Sequence, residues 1–262
     1  MLREEPIVVK GNPHGKLSVM RIAIVSDIHG NRTAFDAVLA DLRETSPDLI
    51  LHGGDLPQGG SSPAEIVDQI RDLGWTGVAG NTDEMLWMPE KLTELATRLP
   101  QMQSLWTAIE ETASATCVAL GEQRIAWLRA LPRVLIHPPI ALVHASPDDL
   151  WVAPAPEATD SELQSVYSPL GQPIAVYGHI HRSFIRAMQG ITVINTGSVS
   201  LSYDGDRRAS YLLLDDVSDD AKPSIRRVEY DVDRELKALS ACSLPHSDWI
   251  AKTLASASPQ MP

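Results

Sequence analysis

Asp27, His29, Asp55, Asn81, His144, His179 and His181 are the residues of this chain whose types and spacing could do chemistry together. They offer carboxylate, imidazole and one amide, with no thiolate. That donor set suits Mn, Fe, Co or Zn and not Cu(I) or an iron–sulfur cluster. Asp27 and His29 are two residues apart, as are His179 and His181. In an extended segment residues i and i+2 point the same way, so each pair can present two donors to one locus. Seven donors exceed the needs of one tetrahedral ion and suffice for two ions sharing a bridging carboxylate.

These residues stand at or just beyond the ends of short apolar, β-branched runs. Run 21–26 leads into Asp27-Ile28-His29-Gly30-Asn31, and run 48–51 into His52-Gly53-Gly54-Asp55. Run 75–79 leads into Gly80-Asn81-Thr82-Asp83, run 140–143 into His144, and run 174–177 into Gly178-His179-Ile180-His181. Run 191–194 ends in Asn195-Thr196-Gly197-Ser198, expected as a tight turn under the His179/His181 loop, and 210–214 and 225–230 are further strand runs. Short buried runs bounded by Gly and Pro read as strands. Between the early ones, 33–44 carries Phe35, Val38, Leu39 and Leu42 on one helical stripe, and 63–73 carries Ile66, Val67, Ile70 and Leu73. Pro63 suits a first helical turn.

Alternating strand and helix followed by a strand-rich half predicts an α/β domain with its sheets covered by helices. Ligand sites of such sheets gather at the C-terminal strand ends, where these donors lie. Residues 85–131 interrupt the rhythm with two or three helices, over 85–98, 102–115 and 121–131, and are expected as a helical insertion beside that edge. Residues 1–19 read as an extension, 20–240 as the main domain, and 241–262 as a tail with one short helix and a disordered end.

Composition sets limits. Thirty-four acidic against 22 basic residues leave a net charge of −12, which disfavours an electrostatic grip on nucleic acid. No apolar run approaches the roughly 18–20 residues that cross a bilayer, and the first 19 residues lack a signal-peptide core. Two cysteines, Cys117 and Cys242, cannot make a disulfide scaffold. The expectation is a cytoplasmic protein without a membrane partner, whose oligomeric state is open.

The ordered motifs D-x-H, G-D, G-N-x-D, H and G-H-x-H resemble those of the calcineurin-like metallophosphoesterase superfamily, in its small bacterial and archaeal branch. Further matching features are Trp127-Leu128, Leu131-Pro132, Asn195-Thr196-Gly197-Ser198-Val199 and Tyr230-Asp231-Val232, so the resemblance spans about residues 20–240. It implies a four-layer α/β/β/α sandwich of two mixed sheets. It also implies two divalent metal ions, the first held by Asp27, His29, Asp55 and His181 and the second by Asp55, Asn81, His144 and His179. Asp55, Asn81 and Asp83 would be catalytic, with Asn31, Arg32 and Asn81 against the substrate. The implied activity is hydrolysis of phosphomonoesters or phosphodiesters, nucleotides among the candidates, by a metal-bridging hydroxide. The partner is then a small phosphate ester, which a net positive pair of ions attracts to an acidic protein. A non-catalytic scaffold on the same fold, as in the retromer sorting complex, is the alternative. One position departs from many members, which carry a proton-donating His where this chain has Thr82. His52 reads as a structural neighbour of the site, and His14, His137 and His246 as surface residues.

Overall fold

A computed structural model describes residues 7–8, 20–216 and 221–262. The strands are β1 (Ile7–Val8), β2 (Ile22–Val25), β3 (Leu49–His52), β4 (Thr76–Gly77), β5 (Val134–His137), β6 (Ile140–Val143), β7 (Ile174–Tyr177), β8 (Phe184–Met188), β9 (Ile191–Asn195), β10 (Ala209–Asp215) and β11 (Lys222–Val228). One sheet has the order β1-β5-β6-β7-β9-β8 and the other β11-β10-β2-β3-β4, and both mix parallel with antiparallel pairs. Among the described residues the α-helices are α1 (Arg32–Thr45), α2 (Pro63–Leu73), α3 (Asn81–Glu84), α4 (Glu90–Arg98), α5 (Gln103–Arg129), α6 (Asp160–Tyr167), α7 (Val232–Ala241) and α8 (Ser247–Ser256).

The layers follow from the two-residue period of a strand. Ile22, Ile24, Leu51, Leu212 and Leu214 of one sheet meet Leu135, Leu142, Ile174, Val176 and Ile194 of the other in a shared core. Their neighbours Ala23, Val25, Tyr211 and Leu213 point the other way, against Phe35, Val38 and Leu39 of α1, Ile66 and Ile70 of α2, and Leu120 and Leu128 of α5. On the far side Val143, Ala175, Tyr177 and Val193 pack on Leu163 and Tyr167 of α6. The result is the four-layer α/β/β/α sandwich.

Three departures from the sequence reading have physical causes. The expected helices over 102–115 and 121–131 run together as α5, interrupted only where Gly121 adopts φ 66° and ψ 170°. The C-terminal stretch holds the one short helix expected, α8, but its end is ordered, Trp249 Nε1–H donating to Gln260 O at 2.7 Å. Here α7 and α8 bury Leu239, Ile250 and Leu254 against Leu201. His137, expected at the surface, closes β5 and is buried. Of the extension 1–19, Ile7–Val8 pairs in parallel with Leu135–Ile136, and the rest, His14 included, lies outside the described residues.

Candidate metal centre

Strand ends and backbone ladders bring the loops to one place. The β2–β3 pairing continues past both strands, with Asp27 N–H donating to Gly54 O, His29 N–H to Asp55 O and Gly30 N–H to Leu56 O at 2.8–3.0 Å. The sheets are joined across the site, where Ser200 N–H donates to Asp27 O at 3.0 Å. Asp27, His29, Asp55, His179 and His181 all have positive φ, between 50° and 66°. Left-handed backbone costs a non-glycine residue on the order of 1–2 kcal/mol, so five such residues in one cluster mark a site whose geometry the surrounding fold enforces. Gly80 and Gly178 let backbone approach the carboxylates: a Cβ at Gly80 would collide with Asp55, and one at Gly178 with Asp27.

All seven candidate ligands converge. Donor atoms of Asp27, His29, Asp55 and His181 lie within 4.8 Å of one another. Asn81 Oδ1 lies 2.8 Å from His144 Nε2 and 2.9 Å from His179 Nδ1, while His144 Nε2 is 3.4 Å from Asp55 Oδ1. Asp55 therefore stands between two groups, with Oδ1 toward His144 and Oδ2 3.7 Å from His29 Nε2.

Hydrogen bonding fixes the histidine tautomers. Nδ1 of His29 lies 2.6 Å from Gln58 O, that of His144 2.8 Å from Gly53 O, and that of His181 2.7 Å from Leu201 O. A carbonyl oxygen only accepts, so each Nδ1 carries a proton and each ring turns its Nε2 into the cluster. His29 Nε2 and His181 Nε2 are 3.1 Å apart, close enough to share one proton or one cation between them.

The charges within the cluster shift its histidines in opposite directions. Burial would lower His181, but the charge of Asp27 and a hydrogen bond to it raise it. Burial would likewise lower His144, and Asp55 and Asp27 outweigh it. His29 is held below the usual histidine value by burial and by His181, and His179 is lowered to about 4 by burial and by His144. Each group thus pairs one raised with one lowered histidine. Burial would raise Asp27, but the charge of His181 and its hydrogen bond pull it well below the carboxylate range. The donors present fit divalent cations: two carboxylates, four imidazoles and an amide oxygen, nearly all buried.

The remaining candidates are committed elsewhere. Asp83, expected among the catalytic residues, is fully buried and accepts the N–H groups of Asp55 and Gly80 on Oδ2 and of Leu56 on Oδ1, at 2.8–3.0 Å. Burial and the charge of Asp55 push it up to about 6. It shapes the loop that carries Asp55. Asn31 is buried, its Oδ1 capping α1 through Ala34 N–H at 2.9 Å and its Nδ2 donating to Ser200 Oγ at 3.1 Å. Arg32 is exposed, pairs with Asp36 at 3.7 Å and lines a groove with Glu65, Asp68 and Asp72 of α2, not the metal centre. Thr82 donates its backbone N–H to Asp55 Oδ1 at 2.9 Å, while its Oγ1 is buried without a hydrogen-bond partner. His52 faces the helical layer near Trp127, and burial lowers it to about 3. The expected turn under the His179/His181 loop is present, with Asn195 Nδ2 donating to Gly178 O at 2.5 Å and Gly197 N–H to Asn195 Oδ1 at 2.9 Å. Sequence reasoning missed Gln58 and Leu201, whose carbonyls orient His29 and His181; such contacts carry no side-chain signature.

Comparison with known proteins agrees with this geometry. Residues 20–219 match the model of the calcineurin-like phosphoesterase superfamily domain. An uncharacterized protein of Methanocaldococcus jannaschii is 28% identical over 254 residues, covering 89% of this chain and 96% of that one. A probable cyclic nucleotide phosphodiesterase of Synechococcus is 26% identical over 189 residues, 64% of this chain and 71% of that one. Among solved structures, a metallophosphoesterase from Sphaerobacter thermophilus has a TM-score of 0.73 at 24% identity, over 92% of this chain and 100% of that chain. A hypothetical protein from Pyrococcus horikoshii has a TM-score of 0.78 at 19% identity and the same coverage. The chain belongs to the calcineurin-like phosphoesterase superfamily.

Proposed function

We propose that this protein is a metal-dependent phosphoric ester hydrolase whose centre holds two divalent ions. Asp27, His29, Asp55 and His181 would hold one, and Asp55, Asn81, His144 and His179 the other. The supporting observation is the convergence of seven donors around Asp55, whose two oxygens face different donor groups. When bound, such ions supply Lewis acidity and lower the pKa of water toward neutrality.

The chain's own residues do the rest. Asp83, through the backbone of Gly80, Asp55 and Leu56, holds the Asp55 loop rigid. Thr82 N–H neutralises part of the charge on Asp55 Oδ1. Three carbonyls fix the rings of His29, His144 and His181 before any ligand arrives, and preorganised groups spend no energy reorienting during reaction. His179 is the one ligand histidine that is not buried, which puts the open side of the centre at the Gly178–His181 loop. The substrate class is a small phosphomonoester or phosphodiester, nucleotides included. The relative described as a probable cyclic nucleotide phosphodiesterase supports the diester branch.

The test is hydrolysis of nitrophenyl phosphate and bis(nitrophenyl) phosphate with added Mn²⁺, by the wild type and by Asp55→Asn. Turnover that drops about 100-fold or more in the variant is expected. A wild type that neither retains metal nor hydrolyses either ester would favour the scaffold role.

A further inference from the structure

Glu84 is a buried carboxylate, 4% exposed, that the proposed reaction does not use. It lies three residues beyond Asn81 on α3, within one helical turn. Its two oxygens serve different segments. One accepts from Arg133 Nη1 at 2.8 Å, and the other from the indole Nε1–H of Trp151 at 2.7 Å.

Both partners lead back to the metal centre. Trp151 closes the loop that begins at His144. That loop is braced by Asp149, which takes the N–H of Trp151 on Oδ1 at 2.7 Å and the N–H and Oγ–H of Ser146 on its carbonyl at 3.0 Å. Arg133 follows Pro132, whose carbonyl accepts Ala79 N–H at 2.9 Å just ahead of Asn81. One carboxylate therefore ties together the segments that carry Asn81 and His144, whose Oδ1 and Nε2 stand 2.8 Å apart. His29 and His181 rest on separate supports, Gln58 O and Leu201 O.

We infer that Glu84 is a positioning residue for the Asn81–His144–His179 half of the centre, setting the distance between two of its donors through Trp151 and Arg133. This rests on the two-ion reading above. A glutamine at this position can accept from one partner but turns an N–H₂ group toward the other, so it opens one side of the tie. Phenylalanine at 151 keeps a ring in the same packing and removes only the indole donor.

The experiment is a Mn²⁺ titration of metal-free wild type, Glu84→Gln and Trp151→Phe, following the EPR signal of free Mn²⁺, with thermal unfolding of the metal-free forms alongside. The wild type is expected to take two ions. In both variants one site weakens by about 10- to 100-fold, the usual effect of removing an outer support of a metal ligand, and the other site is unchanged. Two unaltered sites in the variants would overturn the role of Glu84 and leave the two-ion reading standing. Equal weakening of both sites would also overturn it, since that is what general loosening does. A wild type that binds fewer than two Mn²⁺ ions would overturn the two-ion reading and this inference with it. Should Glu84→Gln fail to fold, Trp151→Phe decides the matter.

Discussion

Thr82 stands beside Asn81, at the point where a proton donor to a leaving oxygen would be expected, and its hydroxyl is buried with no hydrogen-bond partner among the described residues. A hydroxyl so placed does not protonate an alkoxide, and a missing general acid typically costs about 10²–10⁴ in rate. Aryl esters and anhydrides need no such help, because their leaving groups are weak bases. A nitrophenyl phosphate should accordingly be hydrolysed at least about 100-fold faster than an alkyl phosphate of similar size; comparable turnover on the two would contradict this. The candidate ligand residues were legible in the sequence because metal chemistry would restrict them to few types at set spacings. Asp83 and Asn31 were not. Their roles are set by which backbone groups the fold brings to them, and a carboxylate that caps three N–H groups looks, in sequence, like one that meets a substrate.

At the scale of elements, α1 is fastened to the outer face of its sheet by one carboxylate. Asp41 Oδ1 accepts from Arg226 Nη2 of β11 at 2.7 Å, and Oδ2 from the Tyr211 hydroxyl of β10 at 2.6 Å. Hydrogen bonding from Arg226, ahead of that from Tyr211, holds Asp41 below its ordinary value of 3.8. A carboxyl lowered in the folded state adds stability above its unfolded value and loses it as pH falls through the folded one. Asp41→Asn is therefore expected to cost about 1–2 kcal/mol at neutral pH and to flatten the acid limb below about pH 4, as read by urea unfolding across pH. An unchanged acid limb would reject the fastening. β6 and β7 were readable from their unbroken apolar runs, and α2 from the helical spacing of Ile66, Val67 and Ile70. β8 was hidden because Arg186 breaks its apolar run and its side chains alternate between half-buried and exposed. The run 225–230 began late because Lys222 and Pro223, at an edge of the sheet, look like a turn. The short helix expected in the tail is α8, whose buried stripe is Ile250, Thr253 and Leu254.

At the scale of the whole molecule, the donors come from both sheets: Asp27, His29, Asp55 and Asn81 follow β2, β3 and β4, while His144, His179 and His181 follow β6 and β7. The sandwich is what allows seven residues spread from 27 to 181 to face one locus. Support extends past the family domain, since α7 and α8 pack on Leu201, whose carbonyl orients His181. Glu235 of α7 reaches back to Thr33 and Ser61 at 2.7 and 2.8 Å. That dependence was not readable beforehand, because nothing in the composition of 241–262 names the loop it covers. The most direct measurement is anomalous diffraction from Mn²⁺-soaked crystals at the manganese edge. Two peaks about 3.5–4 Å apart, with Asp55 between them, are expected; a single peak, or peaks away from these seven side chains, would contradict the account.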